Sequence, residues 1–171
     1  MLKKSMVLIL TLLVLATTGP VVAEEMAKEG SASSKAYWIA NMTMLPMGKE
    51  IVQINYEGYG VVVGDTEKSL VHNASAHVVG GMLVINGVYE NESGLVSYTR
   101  PDGDKIFVTF KNSGQMGKSA KGTGTIVGGT GKFVGITGTI EYNRYMLPPP
   151  AKGVSASFSL AKGTWKLPEK K

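Results

Sequence analysis

Tyr142 and Arg144 are the residues of this chain whose types and spacing come nearest to chemistry. Along the run from Lys132 to Arg144 a period of two puts Val134, Ile136, Gly138, Ile140, Tyr142 and Arg144 on one face, and Thr137, Thr139, Glu141 and Asn143 on the other. The apolar face thus ends in a phenol and a cation. At the mouth of an apolar interior such a pair could orient the polar head of an apolar ligand, for instance a carboxylate. Tyr142 and Arg144 are therefore the candidate ligand-binding residues, with Trp38 as a wall or cap of the same space.

The other reactive side chains carry weaker patterns. His72 and His77 are the only histidines; they fall on opposite faces of a regular strand, and without a third ligand they do not make a metal site. Asp102-Gly103-Asp104 lacks the further alternating oxygen ligands and the distal glutamate of a calcium loop, and turn chemistry accounts for it. Glu90 and Glu92 could pair as acid and base, but they flank Asn91 in a predicted turn where water would keep them ordinary. No catalytic residue, metal or cofactor is assigned, and an enzymatic role is not favoured.

The chain must place these residues with limited means. Met1 to Ala23 has a basic start (Lys3, Lys4), an apolar core of about ten residues and small residues before Glu24, which together read as a signal peptide cleaved after Ala23. Export to a periplasm or beyond a bacterial cell is expected, with no membrane span after cleavage. Cleavage would leave 171 − 23 = 148 residues, enough for one core, and would lower the formal charge from +5 to +3 with the loss of two lysines. The lysines are scattered, without the clustered stripe of a nucleic-acid binder. With no cysteine, disulfides and thiol chemistry are excluded.

Glu24 to Lys35 is small and polar and reads as a disordered leader, so that the domain would run from 36 to 168 with a short tail over 169–171. Thereafter strand signals alternate with turns. Tyr37 to Leu45 is a first strand or a short apolar lid; Glu50 to Tyr56, a second segment over Gly58 to Val63, Met82 to Tyr89, Leu95 to Arg100 and Lys105 to Lys111 are strands, with shorter candidates around Asn73 and a break at Gly80-Gly81. Asn91 to Gly94 and Pro101 to Asp104 are turns. Gly128 to Gly131 separates two β-branched runs as a hairpin. Pro148 to Pro150 cannot pair in a central strand. Val154 to Leu160 alternates Ala156, Phe158 and Leu160 against three serines. No helical stripe of useful length follows the signal, and glycine, 22 of 171 residues, is about twice its usual share. An all-β fold follows, an antiparallel up-and-down barrel of about eight strands, with a sandwich as the alternative.

Gly122-x-Gly124 followed by Gly128-Gly129-Thr130-Gly131-Lys132-Phe133 and Gly138 resembles the hairpin of allene oxide cyclase-like and dirigent-like barrels, and of small exported bacterial proteins like them. The specific part covers about 20 residues. The resemblance implies an eight-stranded barrel with a mostly apolar cavity, often in a homo-oligomer; it transfers no active-site residue. Three functions are open on this reading. One is a non-catalytic barrel that binds a small hydrophobic ligand, apolar or amphipathic. The second is a cyclase or isomerase working by positioning. The third is an envelope scaffold whose interior is filled by side chains.

Overall fold

The computed structural model describes residues 27–66 and 69–169. Residues 1–23, read as a signal peptide, lie outside them. Eight antiparallel strands follow in chain order and close on themselves as a barrel, so the sandwich alternative falls. They are β1 (Glu29–Pro46), β2 (Ile51–Gly64), β3 (Ala74–Ile85), β4 (Val88–Thr99), β5 (Lys105–Gln115), β6 (Ala120–Gly129), β7 (Thr137–Leu147) and β8 (Val154–Lys166). A single 3₁₀ turn, Gly131–Phe133, interrupts the pattern. No helix among the described residues is long and apolar enough to cross a membrane.

The leader expected over 24–35 is instead strand from Glu29 onward. Glu29 to Lys35 pairs with Lys166 to Leu160, and Leu167 donates to the Lys28 carbonyl at 2.7 Å. This ladder helps close the barrel. Its side chains, Gly30-Ser31-Ala32-Ser33-Ser34, are too small to show hydrophobic alternation, so their contribution is main-chain hydrogen bonding, which composition does not reveal.

Three further boundaries differ from expectation. Asn86 (φ 51°) and Gly87 (φ 77°) form a tight hairpin between β3 and β4, the pair of left-handed residues that the right-handed twist of flanking strands favours. The expected strand from Met82 to Tyr89 is thus split at this turn. Asn91 to Gly94, expected as a turn, lies within β4. Gly80-Gly81 does not end a strand either, because β3 runs through both.

The turns alternate between two ends. At one end the β2–β3, β4–β5 and β6–β7 connections form a plug: Leu70, Ile106, Val108, Ile126, Phe133 and Ile136 are buried together, with Trp165 and Leu167 beside them. Arg100 fastens it by donating to the Leu70 carbonyl at 2.5 Å while its guanidinium lies 5.5 Å from the Phe133 ring. Outside, Lys132 pairs with Asp102 and holds that carboxyl below its usual range. The 3₁₀ turn corrects the face read from the sequence. Phe133 is fully buried at 0% exposure and Val134 is 64% exposed, so the period-two face starts at Ile136 and Gly138 rather than at Val134.

This geometry sets an expected outcome. Phe133→Ala removes a filled plug and should cost about 3–5 kcal/mol, whereas Val134→Ala should stay within about 0.5 kcal/mol. Chemical denaturation of both variants checks it; equal costs would return Val134 to the interior.

Candidate functional site

Period two along each strand decides which side chains enter the barrel. From β7 these are Ile140, Tyr142, Arg144 and Met146, from β1 Ala36, Trp38, Ala40 and Met42, and from β8 Ser155, Ser157, Ser159 and Ala161. On β8 the hydroxyl face therefore turns inward, and Phe158 turns outward to stack on Tyr145 at 4.9 Å. Trp38 donates through Nε1 to Ser159 Oγ at 3.1 Å.

β4 departs from simple alternation. Tyr89 pairs with Gly114 and Glu92 with Asn112, so Glu90 and Asn91 together oppose Ser113. This β-bulge lets Tyr89 and Glu92, three positions apart, both face inward. Asn91 accepts the Leu83 amide at 3.2 Å through its side-chain oxygen, which supports the bulge. Glu92, expected in a solvated turn, is consequently 1% exposed. Glu90 remains exposed.

Inside, Arg144 and Glu92 form a bidentate pair, Nη1 to Oε1 at 2.5 Å and Nη2 to Oε2 at 2.7 Å. Nη2 also donates to the Tyr89 hydroxyl at 2.9 Å, and the Tyr56 hydroxyl donates to Glu92 Oε1 at 2.8 Å. Arg144, half-buried and three residues from the end of β7, is thus a paired member of a network rather than a free cation. Its reach from β7 to β4 crosses β6 and β5 beside Ala120 and Gly114, residues small enough to let it pass; a Cβ on Gly114 would lie 2.8 Å from the Tyr89 hydroxyl.

Burial raises the Tyr56 phenol, and the Glu92 charge adds to the rise; Tyr142 is raised for the same two reasons. Burial also raises Tyr89, against an opposing pull from Arg144. Tyr98 is pushed up to about 12 by burial. Burial alone would lower Arg144, but the hydrogen bonds and charge of Glu92 outweigh it, so the guanidinium is held more firmly protonated. Two donors and an acceptor are left over: Arg144 Nε and both amide atoms of Asn112 are buried without a partner among the described residues.

The network borders a cavity of about 150 Å³. Trp38, Val96, Tyr98 and Tyr142 wall its depth, and Met116 to Lys118, the turn between β5 and β6, bounds its outer end. Tyr142, Arg144 and Trp38, singled out from the sequence, therefore line one space. Glu92, weighed only as a solvated turn residue, completes it with Tyr89 and Tyr56, which were not singled out. The available signal was Asn86-Gly87, which fixes the start of β4. The histidines do not join the site: His72 lies in the turn after β2, its Nδ1 3.4 Å from the Gly64 carbonyl. His77 lies on the outside of β3, 2.7 Å from Glu57 Oε1 and stacked on Tyr59. No group of three His, Cys, Asp or Glu side chains among the described residues is arranged to hold a metal.

Glu92→Gln would strand the guanidinium without its counter-charge and should cost about 3–5 kcal/mol, whereas Glu92→Leu with Arg144→Met should recover most of that loss. Denaturant titrations decide, and a cost under about 1 kcal/mol for Glu92→Gln would mean the pair is solvated. The phenols set a second outcome. Unfolded tyrosines release protons near pH 10, while the four raised phenols keep theirs in the folded barrel. Their contribution is whole below about pH 10 and is lost as pH rises, for Tyr98 through about 12. Phenolate absorbance from these residues should appear together with unfolding; its appearance in a still-folded barrel would contradict their burial.

No protein-family model matches the chain and no curated protein matches it, so the cavity's own geometry has to carry a reading of function.

Proposed function

We propose that the protein is an exported, non-catalytic barrel that binds one compact apolar or amphipathic molecule in its interior, against Trp38 and Tyr142 and beside the Arg144–Glu92 pair. One observation carries this reading: the cavity of about 150 Å³. A void of roughly that size, apolar-lined, takes a benzene-sized ring, whereas drug-sized ligands need about 300 Å³ or more. The ligand is accordingly small.

Chemical character supports the same conclusion. Both terminal nitrogens of Arg144 are engaged by Glu92 and Tyr89, so a carboxylate would have to displace a satisfied internal partner. The void also counts against a scaffold whose interior is wholly filled. Export draws its support from Met1 to Ala23, and the likeness to allene oxide cyclase-like and dirigent-like barrels from the Gly122 to Gly138 hairpin.

The test is native mass spectrometry of the protein purified from its own host, followed by denaturation and extraction. The expected outcome is one small organic molecule per chain, lost in a Tyr142→Phe, Trp38→Leu double variant. A bare chain in both preparations would move the reading to the scaffold.

A further inference from the structure

The two ends of the barrel present different surfaces. The β1–β2, β3–β4, β5–β6 and β7–β8 connections gather at the end away from the plug. Large apolar side chains stand in solvent at the strand ends and turns there. Leu45 is 59% and Met47 64% exposed on the β1–β2 hairpin, Ile51 lies exposed beside Ile85 across the β2–β3 ladder, and Val88 and Leu147 are exposed at the start of β4 and the end of β7. Within two residues of the plug-end connections, only Val63 and Val134 are exposed large apolar side chains among the described residues.

Main-chain hydrogen bonds join the loops of the open end into one rim. The Asn86 amide donates to the Glu50 carbonyl at 2.9 Å, the Met116 amide to the Gly87 carbonyl at 2.9 Å, and the Met42 amide to the Gly153 carbonyl at 2.8 Å. The apolar groups are therefore carried on a fixed frame. Charge on this rim is one-sided. Lys49, Lys118 and Lys152 are exposed on three of the four connections, against a single acid, Glu50. The wall of β1 and β2 also exposes Ile39, Tyr59 and Val61, but there Glu57 accepts from the Tyr59 hydroxyl at 3.3 Å and puts an anion among them.

Apolar tips set among cations suit the boundary between lipid head groups and acyl chains, where the tips are buried and lysines extend to the anionic head groups. The tips here project separately around the cavity mouth. A fluid bilayer conforms to separate projections, whereas a folded protein would need a matching relief to exclude water from them. We infer that the open end of the barrel docks on an anionic lipid bilayer, with Leu45, Met47, Ile51, Ile85 and Val88 entering its apolar boundary and Lys49, Lys118 and Lys152 meeting head-group phosphates. The inference goes beyond the binding role proposed above and stands or falls separately from it, because docking uses the rim and not the interior.

The test is flotation of the protein purified from its own host, and of its variants, with vesicles of phosphatidylcholine alone or mixed in equal parts with phosphatidylglycerol. The protein should float with the mixed vesicles and weakly with phosphatidylcholine. Changing Lys49, Lys118 or Lys152 to Ala should lower partitioning about fivefold for each lysine removed. Leu45→Ser with Met47→Ser should lower it at least about tenfold, while Val63→Ser with Val134→Ser, at the plug end, should stay within about twofold. Should the Leu45, Met47 pair not fold, the lysine series on exposed turns decides alone. Absence of flotation, equal flotation with both vesicles, or flotation that the rim variants leave unchanged overturns the inference. So does self-association that Leu45→Ser with Met47→Ser abolishes without any flotation, which would assign the rim to a second copy of the chain. None of these results alters whether a small molecule is extracted from the interior.

Discussion

The width of an eight-stranded closed sheet governs this molecule. Such a barrel has room for side chains to fill it or for one small ligand, and eight inward rows of large residues would not fit. Large rings are admitted by lying flat across a glycine on the neighbouring strand. Trp38 covers Gly60, Tyr56 covers Gly80, Tyr142 covers Gly122 and Trp165 covers Gly30, each with ring atoms closer than 3 Å to where a Cβ would stand. Glycine weakens a strand in isolation. Here it is the space into which the interior aromatics fold, and the cavity is what remains once they have done so.

Within that narrow interior the polar network is possible only because β4 is irregular. An unbroken alternation that placed Tyr89 inside would place Glu92 outside. The extra residue at Glu90-Asn91 brings both inside, and Arg144 then finds a carboxylate at bidentate distance instead of a lone phenol. A buried guanidinium without such a partner would be strongly destabilising. The bulge therefore comes first in the physical order. It supplies the anion, the anion retains Arg144, and Arg144 with Tyr56 and Tyr89 makes a polar wall on the side of the apolar space away from the plug.

Much of the barrel was legible because its evidence is periodic. Ile140, Tyr142 and Arg144 share a face in any regular strand, and turn residues at Pro101 to Asp104 mark a real turn. Errors arose where local chemistry and ladder geometry disagree. Asn91-Glu92-Ser93-Gly94 has turn composition, yet Asn91 uses its side chain to support a bulge within a strand. Glu29 to Ser34 has the composition of a linker, yet its hydrogen bonds help close the sheet. Glu92 was misplaced for the first of these reasons: its inward direction depends on a one-residue insertion relative to β5, a partner unknown until the ladder is built.

The two ends of the barrel differ in kind, which bears on how an interior could be both selective and reachable. Phe133, Leu70 and Ile136 seal one end with rigid, fully packed side chains, so exchange with solvent through it would require the plug to unfold. Toward the other end Met42, Met82, Met116 and Met146 line the space. Thioether chains are flexible and polarizable and reshape at little cost. Shape tolerance is thus set beside the fixed hydrogen bonds of Arg144 and Glu92, because Met42, Met82 and Met116 pack with Tyr56 and Tyr89 at that same end.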